Sequence, residues 1–407
     1  MNILIINQPL NNRGDESAHK ALIRSLVKYL TNAHIKVLFV ESNQDSINQF
    51  SVAHRNVEYL NITPFIGYKS VAIIGLKYGL YFLWQLHPTT RKLLKIYKDS
   101  DWVVNAPGGI CMGGFQNWFH LFYLELSKKS MKPIAYYGRS FGPFPVKTKS
   151  NRIFKKISLE LLSYFSYLSI RDSKSENLAK QLKLNYFSTV DTAFLESPVV
   201  NIPDDIKSTI GEKEYIVFVP NLLIWHYAYS NISKEVIIDF YRSLYRLITQ
   251  HYPKHNVVML PQTFNYGYPN DDIYFFYEIK EAIGDDRIII IKDIYSSDVQ
   301  QAIIANADLI VGARYHSIVF AINNEVPFIA LSYEHKISGM LETLGEQNSM
   351  IDISPAIISS EEGRERVVLS FSSKLTKLKK PIDARAKAKY IADKSFSSLL
   401  KEIQRTK

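Results

Sequence analysis

The chain has 407 residues, a formal net charge of +10 and a sequence pI of about 9.2. Apolar residues make up 46% and charged residues 22%, which excludes a disordered chain, and the length exceeds one ordinary core, so two domains are expected. The single cysteine, Cys111, rules out an internal disulfide and a thiolate zinc cage and points to a reducing, cytoplasmic setting, while the basic balance favours acidic partners: phosphorylated substrates, anionic lipid or nucleic acid.

The opening Met1-Asn2-Ile3-Leu4-Ile5-Ile6-Asn7 has no basic leader or long apolar core and reads as a buried strand over 3–6, not a signal peptide. Ala18, Ala21, Leu22, Leu26 and Leu30 follow a helical period, and a strand is expected over 37–40. Residues 71–86, rich in Ile, Leu, Tyr and Phe with Trp84, are interrupted by Gly75, Lys77 and Gly79. That stretch falls short of the roughly 20 residues a membrane span needs and reads as a buried or interfacial helix. Strands over 102–105, 133–137, 168–171 and 187–190 alternate with helices such as 119–127 and 153–165. Pro198, Pro203 and Gly211 mark 197–214 as a linker.

Alternation then restarts, with strands over 215–219, 257–260, 288–291, 309–311 and 328–331. Helices are expected over 235–249, 273–283, 298–306, 317–323 and 337–344, with Ser296-Ser297-Asp298 as a cap. The expected fold class is α/β: two Rossmann-like doubly wound domains, 1–196 and 215–380, with an interdomain cleft. A basic C-terminal helix over 381–407 is expected to pack back on the first domain.

Gly312-Ala313-Arg314-Tyr315-His316-Ser317 lies between the apolar runs 309–311 and 318–322, at the hand-over from strand to helix. Ligands bind at that carboxyl edge in open α/β sheets. The helix start at Ser317 attracts anions, Arg314 offers a fork for phosphate or carboxylate, and His316 can move a proton. The plainer alternative is an ion-paired arginine and a structural histidine.

On the next strand end, in Tyr333-Glu334-His335-Lys336, Lys336 offers a second positive charge and Glu334 or His335 a proton relay; a solvated helix start is the alternative. In Asn12-Arg13-Gly14-Asp15, Gly14 permits close backbone approach and Asp15 caps a helix or contacts substrate. Gly108 and Gly109 make room beside the backbone after the strand ending at Asn105, and Arg139-Ser140-Phe141-Gly142-Pro143 follows the strand ending at Tyr137. Arg171-Asp172 reads as a structural pair, and Asp191 closes the last strand of the first domain.

No Cys/His metal pattern, phosphate-binding Walker loop or Gly-x-Ser-x-Gly elbow is present. Basic runs at 91–98, 147–156 and 374–389 read as solvated faces or, with the aromatic helix over 71–86, as a surface for anionic membrane. No strand carries the aromatic-and-basic stripe of base stacking, so nucleic acid is not an expected partner.

Taken in order, these pieces resemble the polysaccharide pyruvyl transferase family. The landmarks are Gly14-Asp15, Pro107-Gly108-Gly109, Arg139-Ser140-Phe141-Gly142-Pro143, Arg171-Asp172, Asp191 with Phe194, Gly312 to Ser317, Val326-Pro327, and Tyr333 with Lys336. Asn105-Ala106-Pro107 stands where the family often has more glycine. The resemblance implies a glycosyltransferase-B-like fold and phosphoenolpyruvate as donor, with no metal or other cofactor. It also implies a sugar with two suitably placed hydroxyls as acceptor and a cyclic pyruvate ketal as product, in capsule or exopolysaccharide synthesis.

Arg314, Tyr315 and His316 match the family's donor-binding segment, with Ser317 and Lys336 beside it. His316 is the candidate for proton traffic, and Asp15 and Asp191 are candidates to orient or deprotonate the acceptor. Asn12, Gly14, Gly108, Gly109, Arg139 and Ser140 are candidates for contact with the acceptor, which is expected to be polyprenyl-diphosphate-linked at the inner membrane face. Three rivals stand beside this reading. They are a nucleotide-sugar glycosyltransferase on the same architecture, a basic membrane-surface protein without catalysis, and a family member that has lost pyruvyl transfer.

Overall fold

The computed structural model describes residues 1–8, 12–264, 271–333 and 335–405. Short apolar runs build two sheets. β1 (Asn2–Ile6), β2 (His34–Val40), β3 (Val57–Ile62), β4 (Trp102–Asn105), β5 (Ile134–Tyr136), β6 (Tyr167–Ile170) and β7 (Phe187–Ser188) lie in the order β3-β2-β1-β4-β5-β6-β7. β8 (Tyr215–Val219), β9 (Asn256–Met259), β10 (Ile288–Ile290), β11 (Leu309–Gly312), β12 (Phe328–Ser332) and β13 (Met350–Asp352) lie in the order β10-β9-β8-β11-β12-β13. Every pairing is parallel. β8 and β12 are buried along their whole length, as strands covered by helices on both faces must be, and so lack in-out alternation.

Strand order reverses beside the first strand of each sheet, where β1 lies between β2 and β4 and β8 lies between β9 and β11. In open α/β sheets ligands bind outside the carboxyl ends of the strands at such a reversal.

The chain divides into two compact units. One contains Met1–Leu10, Asp15–Leu195 and Tyr390–Lys407; the other contains Asn11–Gly14 and Glu196–Lys389. The last helix, Ile382–Arg405, thus ends in the first unit. There the Tyr167 hydroxyl donates to the Ser395 carbonyl at 2.7 Å, and Phe396 packs its ring 5.9 Å from Tyr29. The core of this unit includes Trp84, which meets Phe122 edge to face at 5.0 Å.

Two expectations are corrected. Within 197–214, read as a linker, Asp204–Ile210 forms a helix. The helix expected over 71–86 is two, Tyr68–Tyr78 and Phe82–Leu86, because Gly79 ends the first at φ 70°, a conformation that glycine adopts without a Cβ penalty.

Candidate active site

In the second unit, β11 ends at Gly312 and the helix Tyr315–Asn323 begins after two intervening residues, with Arg314 as its N-cap. Arg314, Tyr315, His316 and Ser317 therefore stand at the reversal point of the second sheet. Arg314 is buried, and Asp272 takes both its Nε (3.0 Å) and an Nη2 hydrogen bond on Oδ1. Asp272 is fixed in turn: its Oδ2 accepts from the backbone N–H groups of Gln262 (2.9 Å) and Thr263 (3.1 Å). Burial opposes the charge on Arg314, but the Asp272 carboxylate, Tyr333 and Tyr241 together outweigh it and hold the guanidinium pKa above its ordinary value. Trp225 offers its ring face 5.8 Å from the guanidinium and donates its indole N–H to Asn221. The plainer alternative for Arg314 is thus partly realised, since it is ion-paired as well as placed at the sheet's reversal point.

His316 is buried, with Tyr315 edge-on at 5.0 Å. Its ring lies against Gly14, where an added Cβ would sit 1.8 Å from Cγ and 1.9 Å from Nδ1 of the imidazole. Glycine is required there for space. The same first-helix segment is tied down by an isolated bridge between Asn12 and Thr263 and by Arg13 N–H donating to the Gln262 carbonyl at 3.2 Å. The side-chain oxygen of Asn12 accepts from Gly14 N–H at 2.9 Å, which is the capping contact. Asn12, not Asp15, therefore caps this helix; Asp15 is its third residue and half-buried.

The hydroxyl of Ser317 donates to the Arg314 carbonyl at 2.6 Å, closing the first helical turn. Lys336 is half-buried in the second position of the helix His335–Leu344, after β12. Glu334 lies outside the described residues.

The remaining candidates belong to the first unit. Gly108 bridges Arg139, whose buried guanidinium staples the loop after β4. It donates to the carbonyls of Ala106 (2.6 Å), Gly109 (3.0 Å) and Asn7 (3.5 Å) and to Sγ of Cys111 (3.0 Å). Ser140 is buried, and its carbonyl accepts from the Tyr136 hydroxyl at 3.3 Å. Asn12 and Gly14, grouped with these residues by sequence, pack instead on the second unit.

Asp191 is fully buried and ion-paired with Arg171, and its other oxygen accepts from Ala193 N–H at 3.0 Å. The partner of Arg171 is thus Asp191. Asp172, expected to pair with it, caps the next helix by accepting from Ser175 N–H at 2.9 Å. Sequence reasoning gave no role to Arg13, Trp225 or Asp272. Arg13 is 1% exposed, with its guanidinium 5.6 Å from the Phe264 ring. A buried arginine beside a glycine at a helix start is a readable signal; Asp272 leaves none, because its partner is remote in sequence.

Among the described residues, one group has metal-ligand spacing: Glu214, His255 and Asp308. They directly precede β8, β9 and β11, at the amino edge of the sheet and away from Arg314.

Two parallel α/β sheets, each reversing its strand order beside its first strand, make a scaffold shared with solved sugar-nucleotide enzymes. The UDP-GlcNAc 2-epimerase of Methanocaldococcus jannaschii superposes with a TM-score of 0.60 at 15% identity, covering 98% of this chain and 99% of that one. The enzyme of that activity from Neisseria meningitidis, bound to UDP-GlcNAc, gives 0.57 at 10% identity over 98% and 100%. At such identities the likeness shows the fold alone. Residues 12–335 match the sequence profile of the polysaccharide pyruvyl transferases, and the chain belongs to that family. It is also 22% identical over 386 residues to the amylovoran biosynthesis protein AmsJ of Erwinia amylovora, spanning 87% of this chain and 88% of that protein.

Proposed function

We propose that the protein transfers the pyruvyl group of phosphoenolpyruvate to two hydroxyls of a sugar, forming a cyclic ketal in surface polysaccharide synthesis. The observation that carries this reading is the contact between His316 and Gly14, two family landmarks from opposite ends of the matched region, at the second sheet's reversal point. Arg314, pre-set by Asp272, takes the donor's phosphate or carboxylate together with the start of the helix Tyr315–Asn323, while Tyr315 and Lys336 flank it and Ser317 closes the first turn. The Arg314 guanidinium, with Lys336 beside it, carries the donor's charge in this scheme, and no metal or further cofactor is invoked.

His316 delivers a proton to the methylene carbon, which leaves the adjacent carbon cation-like and open to the first sugar hydroxyl. Phosphate then leaves with the electrons of its C–O bond, and the second hydroxyl closes the ring. Of the two hydroxyl protons, one replaces the proton spent on the methylene carbon and the other departs with phosphate. Asp15 remains the candidate to deprotonate the acceptor; Asp191, committed to Arg171, holds the scaffold.

No helix among the described residues is long and apolar enough to cross a membrane. A peripheral site at the inner face of the plasma membrane is nevertheless supported by one surface. Phe65, Ile66, Ile74, Tyr78, Leu80, Phe82 and Leu86 are all exposed in the first unit, and residues 59–98 contain six Lys or Arg and no acid. That combination suits an anionic bilayer and a polyprenyl-diphosphate-linked acceptor.

Incubation with phosphoenolpyruvate and, separately, with UDP-sugars tests the reaction: acceptor-dependent phosphate release is expected, and UDP release without it sinks the reading in favour of a glycosyltransferase. His316→Ala should abolish phosphate release, and Arg314→Ala should chiefly weaken donor binding. Near-normal turnover by the first, or an unchanged donor Kd for the second, removes that assignment.

A further inference from the structure

A cavity of about 240 Å³ opens in the first unit at the carboxyl ends of β1 and β2, beside the reversal point of the first sheet. Asn7, Asn117, Phe119, His120, Tyr123 and Arg139 are among its lining residues, and none of the lining residues is acidic. Asn7 leaves β1 at φ 62°, which asparagine tolerates better than most residues, and its amide donates to Asn105 Oδ1 at 2.8 Å.

Two groups here lack the partners that burial normally demands. The hydrogen bonds of Arg139 all go to neutral acceptors, three carbonyls and a sulfur, and no ion pair among the described residues includes it. A buried guanidinium held this way keeps its charge without a contacting counter-ion, which is unfavourable unless an anion arrives. His120 is 2% exposed, and its buried Nε2 has no hydrogen-bond partner. Burial, then Arg139, pushes its pKa well below the ordinary histidine value, so the ring is neutral at pH 7 and can give or take one hydrogen bond. Asn117 caps the helix Trp118–Lys129 by accepting from His120 N–H at 3.0 Å, so the positive end of a 12-residue helix also faces this region. Amides with an aromatic wall from Phe119 and Tyr123 suit the hydroxyls and the apolar face of a sugar ring.

We propose that this cavity is the acceptor subsite and takes a sugar bearing an anionic group, a carboxylate or a phosphate, that Arg139 binds. Calling the ligand an acceptor rests on the pyruvyl-transfer reading; the binding itself does not. Calorimetry on the full chain should compare glucuronate and glucose 1-phosphate with glucose, and should repeat the titrations in the presence of phosphoenolpyruvate. An anionic sugar should bind at least about 10-fold tighter than glucose, roughly one charge-assisted hydrogen bond's worth. Which of the two anions binds tighter identifies the carboxylate or the phosphate as the recognised group.

Ser42→Trp, placed on the half-buried rim and touching no buried charge, should abolish that binding, and Arg139→Gln should erase the preference for the anionic sugar. If Arg139→Gln does not fold, Ser42→Trp decides the location. Equal affinity for neutral and anionic sugars, or unchanged binding by Ser42→Trp, overturns the proposal. Competition by phosphoenolpyruvate for the same cavity overturns its assignment to the acceptor. Anionic-sugar binding without phosphate release from phosphoenolpyruvate would refute the reaction and leave the subsite standing.

Discussion

Gly14→Ala tests the structure at one atom. The new Cβ would lie 1.8 Å from Cγ of His316, against the 3.0 Å that real Cβ contacts respect, so the ring or the helix must move by about 1 Å. Gly14 is not in the left-handed region, and alanine in a helix is otherwise favoured by up to about 1 kcal/mol, so the collision is the only source of loss. Overpacking of this kind costs about 1–3 kcal/mol. For a unit of this size each kcal/mol moves Tm by about 2–4 °C, which gives a fall of about 2–12 °C by calorimetry. A proton-handling group displaced by about 1 Å should slow acceptor-dependent phosphate release by about 100-fold.

His316→Ala removes the obstacle. In that background Gly14→Ala should cost no stability, and the double-mutant cycle should return a coupling of about 1–3 kcal/mol. Equal Tm losses in both backgrounds, or wild-type turnover in the single variant, would refute the contact and the convergence it supports.

Asp191→Asn should destabilise by about 3–5 kcal/mol because it leaves Arg171 buried without its counter-charge, whereas Arg171→Met with Asp191→Leu should recover most of that loss. Urea midpoints measure it, and turnover that returns with stability in the double variant marks Asp191 as structural. His19 in the first helix is fully buried, and burial, then Lys20, lowers its pKa to about 3 from an unfolded value of 6.5. Between those values the unfolded chain binds the extra proton, so stability falls as pH drops below about 6.5, by at most about 1.4 kcal/mol per pH unit. His19→Leu should flatten that acid slope; identical slopes for variant and wild type in urea titrations at pH 7 and pH 5 count against it. Sedimentation with anionic vesicles should pull down the wild-type chain, and Leu80→Ser with Phe82→Ser should weaken it; equal recovery on neutral vesicles argues against the surface.

The alternating apolar runs made both sheets legible, because a parallel strand buried on both faces must be continuous in sequence, as β8 and β11 are. β3 escaped notice because Val57, Tyr59 and Leu60 are only partly buried at the sheet's edge, where Glu58 and Asn61 break the run. β13 is three residues long and too short to signal itself. The turn from Arg314 to Ser317 could be placed from its neighbours alone. Its partners could not: Asp272 and Trp225 reach Arg314 from two other segments, and no spacing rule links them. The ion pair of Asp191 was out of reach too, because its partner Arg171 lies on another strand end and no spacing rule links them. His120 was invisible for the opposite reason. Within Trp118-Phe119-His120-Leu121-Phe122 it reads as part of an apolar helix face, and only the fold shows that its Nε2 is buried without a partner.

The two buried arginines at the sheet reversals differ in one respect that decides their use. Arg314 shares its charge with Asp272, so an arriving anion gains less from it by simple attraction. What that pair supplies is direction: a guanidinium clamped through two of its nitrogens and backed by two backbone N–H groups cannot swing away when the donor changes charge during reaction. Arg139 is held as firmly but by neutral groups, and Asp15, the carboxylate that favours its charge, makes no hydrogen bond or ion pair with it, so more of its charge remains to attract. A residue that must stabilise a changing charge needs fixed geometry, and one that must select an anionic ligand needs uncompensated charge. On that physical ground the second unit suits the reacting donor and the first suits recognition of an anionic acceptor.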